Sequence, residues 1–128
     1  MMLRIVTLVM GLAGSAAVAQ DVPSGQSVTL FDALIDKVEG QTWLRMRYVA
    51  PAIARDGGGV DYDTASIDMA HLCASAALPY ANEYAIDPHT VVISLSDRET
   101  EFGVQDREAT QFFEAYRVQN DACIWEAF

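Results

Sequence analysis

Histidine and cysteine are scarce in this chain of 128 residues, with two of each. His71 and His89 are too few and too far apart for a recognisable zinc or copper site. Cys73 and Cys123 lack the C-x-x-C spacing of a redox pair. Basic side chains are also short: eight Lys and Arg stand against eighteen Asp and Glu, a formal charge of −10. That charge repels nucleic-acid phosphates and anionic lipid, so neither is expected as a partner. No glycine-rich phosphate loop or dinucleotide fingerprint occurs. No G-x-S-x-G turn frames Ser94 or Ser96, which read as strand serines facing solvent. No apolar run reaches the ~20 residues a helix needs to cross a bilayer. No metal and no cofactor is expected.

What is present begins with a leader. Met1 to Arg4 form a short positively charged start, and Ile5 to Ala13 are almost wholly apolar. Ala17-Val18-Ala19 then supplies the small-x-small pattern read by signal peptidase. Residues 1–19 are therefore expected as a signal peptide, with Gln20 as the new N-terminus and a periplasmic or secreted location. No cysteine sits at the cleavage point, which argues against a lipoprotein. Removing 19 of the 128 residues leaves 109, and losing Arg4 takes the charge from −10 to −11. This length suits one domain. The expected division is a flexible arm over residues 20–27 and a single α+β domain over 28–128.

In an oxidising compartment an even pair of cysteines reads as a disulfide. Bridging Cys73 to Cys123 closes a loop of about 50 residues, worth ~4 kcal/mol on the chain-entropy model. His71 precedes Cys73 by two positions. Such side chains point apart on a helix, which argues against a reactive Cys/His pair.

Val28–Lys37 and Thr42–Ala50 read as two strands turned by Glu39-Gly40. With Val38 opposite Gln41, one face pairs Ile35 with Leu44, Ala33 with Met46 and Phe31 with Tyr48. The other pairs Asp36 with Trp43, Leu34 with Arg45 and Asp32 with Arg47. One greasy and one charged face is what a half-buried sheet requires. A helix over Leu30–Val38 is the competing reading. Asp56-Gly57-Gly58-Gly59 reads as a loop. An Ala-rich helix follows, with Asp61, Asp63 and Thr64 as candidate caps and Asp68 suited to the helix dipole. Two stripes fit helical spacing: Ile67, Ala70, Ala74, Ala77 and Met69, Leu72, Cys73, Ala76. Pro79 is expected to end or kink it, with Tyr80–His89 as a connection. Thr90–Leu95 reads as a strand because β-branched residues fill it. Phe102–Gln105 is a candidate to pair back. Residues 109–118 fit either a helix or one arm of a hairpin turned at Asn120-Asp121. The hairpin is preferred because it sets Val118 opposite Cys123 and Tyr116 opposite Trp125.

Arg45 and Arg47 share a strand face, with Arg55 nearby. Paired guanidinium groups suit a carboxylate or phosphate, but with Asp32 and Asp36 opposite they also make an ordinary charge ladder. Asp56, Asp61, Asp63 and Asp68 surround the glycines without the spacing of a calcium loop. Glu114 and Glu126 could serve as a carboxylate pair with Arg98, although a 109-residue domain leaves little room for a sugar cleft.

Five segments carry a resemblance. They are Trp43-Leu44-Arg45-x-Arg47-Tyr48-Val49-Ala50-Pro51, Val92-Ile93-Ser94-Leu95-Ser96-Asp97-Arg98, Phe102-Gly103, Gln111-Phe112-Phe113-Glu114-Ala115-Tyr116 and Cys123-Ile124-Trp125-Glu126. With the exported start, the chain resembles a family of small, uncharacterised secreted proteins of alphaproteobacteria. The resemblance implies a Gram-negative periplasm and no known activity. The expectation is an α+β fold: one Ala-rich helix on an antiparallel sheet of about five or six strands, stapled by Cys73–Cys123. The leading role is a non-enzymatic binding or accessory protein, with an envelope protein as the expected contact through Trp43, Arg45, Arg47 and Arg98. The alternatives are a small hydrolase or isomerase using Glu114 and Glu126 with Arg98, and a carrier of a small anion or metal.

Overall fold

The computed structural model describes residues 18–127. Of the expected leader, all but Val18 and Ala19 therefore lies outside the described residues. Six strands form one sheet in sequence order: β1 (Val18–Gln20), β2 (Val28–Val38), β3 (Gln41–Val49), β4 (Thr90–Ser96), β5 (Gln111–Gln119) and β6 (Ala122–Glu126). Two tight turns fix its hairpins. Glu39 and Gly40 take φ of 52° and 82°, and Asn120 and Asp121 take 53° and 59°. Positive φ at both central residues is the geometry that matches the twist of paired strands.

The turns set the registers read from the sequence. Val38 faces Gln41, Ile35 faces Leu44 and Ala33 faces Met46, so Leu30–Val38 is strand, not helix. Val118 faces Cys123 and Tyr116 faces Trp125, which closes the helix alternative at 109–118. One pairing differs. Tyr48 faces Leu30, because the register shifts between Leu30 and Asp32. Phe31 is the extra residue of a β-bulge, and a bulge re-aims a side chain. Its ring turns away from the core and lies over Arg47 on the opposite face.

The sheet is antiparallel except at β3 and β4, which run parallel. The helix between them carries the chain back to the starting end of β3, and a strand entered that way must run in the same direction. Helix α1 (Tyr62–Leu72) passes through a π-helical turn (Cys73–Ala77) into α2 (Leu78–Glu83). Asp61 caps the start, its carboxylate accepting from the Thr64 amide at 2.9 Å. Pro79 does not end the helix. A proline removes one helical donor and crowds the carbonyl four residues back, and the wider π turn lies just before it. The helix thus continues into the segment expected as a connection.

Ala65, Met69, Leu72, Cys73, Ala77 and Ala81 face the sheet and pack on Leu44, Met46, Tyr48, Val91, Ile93 and Leu95. In the first of the two apolar stripes, Ile67, Ala70 and Ala74 stay exposed, and only Ala77 is buried. The Cys73–Cys123 disulfide ties the π turn to β6 across a Cα separation of 6.3 Å. Asp68 is fully buried. Its carboxylate accepts from the Ser24 amide (2.9 Å), the Ser24 hydroxyl (2.6 Å) and Gln26 Nε2 (2.7 Å), which fastens the segment before β2 to the helix. At Gly58 a Cβ would collide with the carbonyl oxygens of Ala52 and Ala54, so only glycine closes that loop. No helix among the described residues is long and apolar enough to cross a membrane.

Candidate functional site

The helix covers one face of the sheet. The other is covered only in part, by the loop of residues 97–110. Phe102–Gln105 forms no strand; it lies across the open face as loop. Three anchors hold it. Arg47 Nη2 donates to the Thr100 carbonyl at 2.8 Å and to its hydroxyl at 3.0 Å, and Gln111 Nε2 donates to the same hydroxyl at 3.1 Å. Asp97 accepts from the Thr110 amide at 3.0 Å, and its own amide donates to the Thr110 carbonyl at 3.0 Å. Arg55 donates to the carbonyls of Arg107, Glu108 and Ala109, so it closes the loop's far end and is not part of an anion site.

Between loop and sheet lies a cleft of about 310 Å³. Val92, Phe31 and Phe113 supply apolar wall, Ser94 and Ser96 lie on the floor, and Phe102 and Val104 form the rim. Two guanidinium groups reach it. Arg45 sits 5.3 Å from the Trp43 ring and 5.6 Å from the Phe102 ring. Arg47 sits 4.8 Å from Phe31 and 5.4 Å from Phe102. A flat cation between aromatic faces is held in place by attraction to the ring quadrupoles.

Both cations already have carboxylates. Arg47 Nη1 meets Asp32 at 2.8 Å, and Arg45 meets Asp36 at 3.3 Å through Nε and Nη2. The charge ladder is therefore formed, and it lowers the cleft's pull on a free anion. Asp36 takes Arg45 Nε and Nη2, which leaves Nη1 without a hydrogen bond among the described residues, and the Ser96 hydroxyl is buried without a partner. The cleft thus offers an apolar body with unused donors.

The expected contact residues divide. Arg45 lines the cleft half-buried, with Trp43 packed behind it. Arg47 is not an exposed contact but a buried one, spent on Asp32 and Thr100. Arg98 stands outside the cleft, exposed and paired with Asp97 at 3.0 Å. That hydrogen bond holds the Asp97 carboxyl below the usual carboxylate range, with burial pulling the other way and the Thr110 amide adding to the lowering. Ser94 and Ser96 are buried under the loop and do not face solvent. The proposed carboxylate machinery does not converge. Glu114 lies in a separate cavity with Tyr62 and Trp125. Glu126 pairs with Arg117 at 3.2 Å; its register partner, Ala115, alternates with Glu114 along β5 and so points to the opposite face. Among the described residues no three His, Cys, Asp or Glu are grouped to hold a metal. Sequence reasoning missed Phe31, Thr100, Gln111 and Phe113. Gln111 and Phe113 share the face of Ala115 by alternation, which was available as a signal; the bulge at Phe31 and the path of the loop were not.

Residues 7–128 match DUF6497, a family of unknown function, so the chain belongs to that family. No curated protein and no solved structure matches it.

Proposed function

We propose that this protein is an exported, non-enzymatic binding protein of a Gram-negative periplasm, of the kind its resemblance to secreted alphaproteobacterial proteins implies. The leader pattern at residues 1–19 and the disulfide support the compartment. The observation that carries the binding role is the cleft over the open face: apolar walls, a size at the low end for small-molecule sites, and donors left without partners. The ligand it suits is compact and apolar and bears a hydrogen-bond acceptor, such as a carbonyl or carboxylate, directed at Arg45 Nη1. A bare inorganic anion suits it less, since Asp32 and Asp36 already answer both arginines. Exposed Phe102, Val104 and Phe113 at the mouth support docking against an envelope partner that delivers or receives the ligand.

Native mass spectrometry of protein isolated from the periplasm of its own host tests this. The expected result is a non-covalent added mass that is lost in Arg45→Ala. An unliganded mass for the native protein, or a ligand retained equally by the variant, overturns the assignment.

A further inference from the structure

On the opposite side of the sheet Glu114 poses a separate problem. It is 5% exposed, and its partners are neutral: Trp125 Nε1 donates to Oε1 at 2.8 Å, and the Tyr62 hydroxyl donates to Oε2. No arginine, lysine or histidine forms an ion pair with it among the described residues. A buried carboxylate without a cation is expensive. Asp68 shows how the fold settles the same problem elsewhere, with three donors and complete burial. Glu114 has two donors, and a carboxylate has about four acceptor positions. It also lies at the base of an open cavity of about 420 Å³.

The walls of that cavity match the unmet charge. Tyr62 and Trp125, which hold the carboxylate, line the cavity together with the largely buried Tyr116, and Ile67 and Ala70 of α1 close the side. Trp125 and Ile67 are 59% and 61% exposed, an unusual display of large apolar surface beside one acid. Burial pushes the Tyr116 phenol up, and the charge on Glu114 adds to the effect. Aromatic rings lining a cavity beside an anion suit alkylated ammonium groups, by cation–π attraction and by charge. A tightly hydrated metal ion would gain little from such walls. The overall charge of −10 draws cations toward the surface.

We propose that the Glu114 cavity is a binding site for an alkylated ammonium group, with Glu114 as the counter-charge and Tyr62, Tyr116 and Trp125 as the cage. This site is independent of the cleft on the open face.

Choline chloride is the probe, read by the NMR signal of the Trp125 indole N–H, told from that of Trp43 by its loss in Trp125→Phe. The expected result is a saturable shift with choline and none with its neutral carbon isostere, 3,3-dimethyl-1-butanol. Glu114→Gln keeps the shape of the side chain and should weaken choline binding at least about tenfold, with its dispersed amide spectrum showing that it folds. No saturable shift, equal binding of the isostere, or full affinity in the variant overturns the site. Two further arms separate the sources of the group. Co-sedimentation with phosphatidylcholine vesicles that Glu114→Gln abolishes assigns it to a lipid headgroup. A choline shift without co-sedimentation assigns it to a free solute.

Discussion

Tyr48 is wholly buried and its hydroxyl has no partner among the described residues. Burial pushes its phenol up, since no charged form is tolerated there. An unpaired buried polar group costs stability, and removing it without changing shape returns that cost. Tyr48→Phe is therefore expected to be neutral or more stable by up to about 1 kcal/mol, read from urea midpoints. A loss of that size would mean the hydroxyl is bonded. Asp97 makes the opposite test. Its lowered folded pKa means that its contacts stabilise the fold fully above the ordinary carboxylate value of ~3.9. The contribution is lost as pH falls through the lower folded value. Asp97→Asn should therefore be less stable than wild type at pH ~7 and close on it near pH ~3. A gap that stays constant with pH would contradict the role given to its charge.

At the scale of elements, Asp68 joins α1 to the segment before β2. Asp68→Ala leaves the Ser24 amide, the Ser24 hydroxyl and Gln26 Nε2 without their acceptor. The expected cost is about 1–3 kcal/mol, with faster hydrogen exchange at Ser24; unchanged protection there would refute the latch. The sequence disclosed the hairpins because their turn residues and alternating faces are local. Glu39-Gly40 and Asn120-Asp121 permit positive φ, and one register sorts each pair of strands. The parallel pairing of β3 and β4 was not legible, because it depends on the path of the chain over the helix. Nor was the Phe31 bulge, since a strict alternation of faces places that ring in the core. The candidate site suffered most. Arg45 and Arg47 could be placed on one face, but the loop that turns this face into a cleft has no periodicity to read. Asp68 was equally hidden, since a carboxylate early in a helix already has a reason to be there.

At the scale of the molecule, three layers share one sheet: the helix, the strands and the 97–110 loop. The helix side carries the hydrophobic core and the disulfide. Reducing Cys73–Cys123 reopens a loop of about 50 residues and should remove up to ~4 kcal/mol, a large share of the 5–15 kcal/mol typical of small folds. Thermal unfolding with and without reductant reads this directly, and an unchanged midpoint would show that noncovalent packing alone holds β6 to the helix. The loop side carries the cleft, which under the proposed function is occupied in the compartment where the protein works. The most direct measurement is site-specific photocrosslinking in intact cells, with the probe placed at Val104 on the cleft rim or at Ile35 on the far end of the first hairpin. Both positions are exposed. A discrete adduct at Val104, of small mass or of a protein partner, and none at Ile35 is the expected result. No adduct at Val104, or the same adducts at both positions, would contradict it.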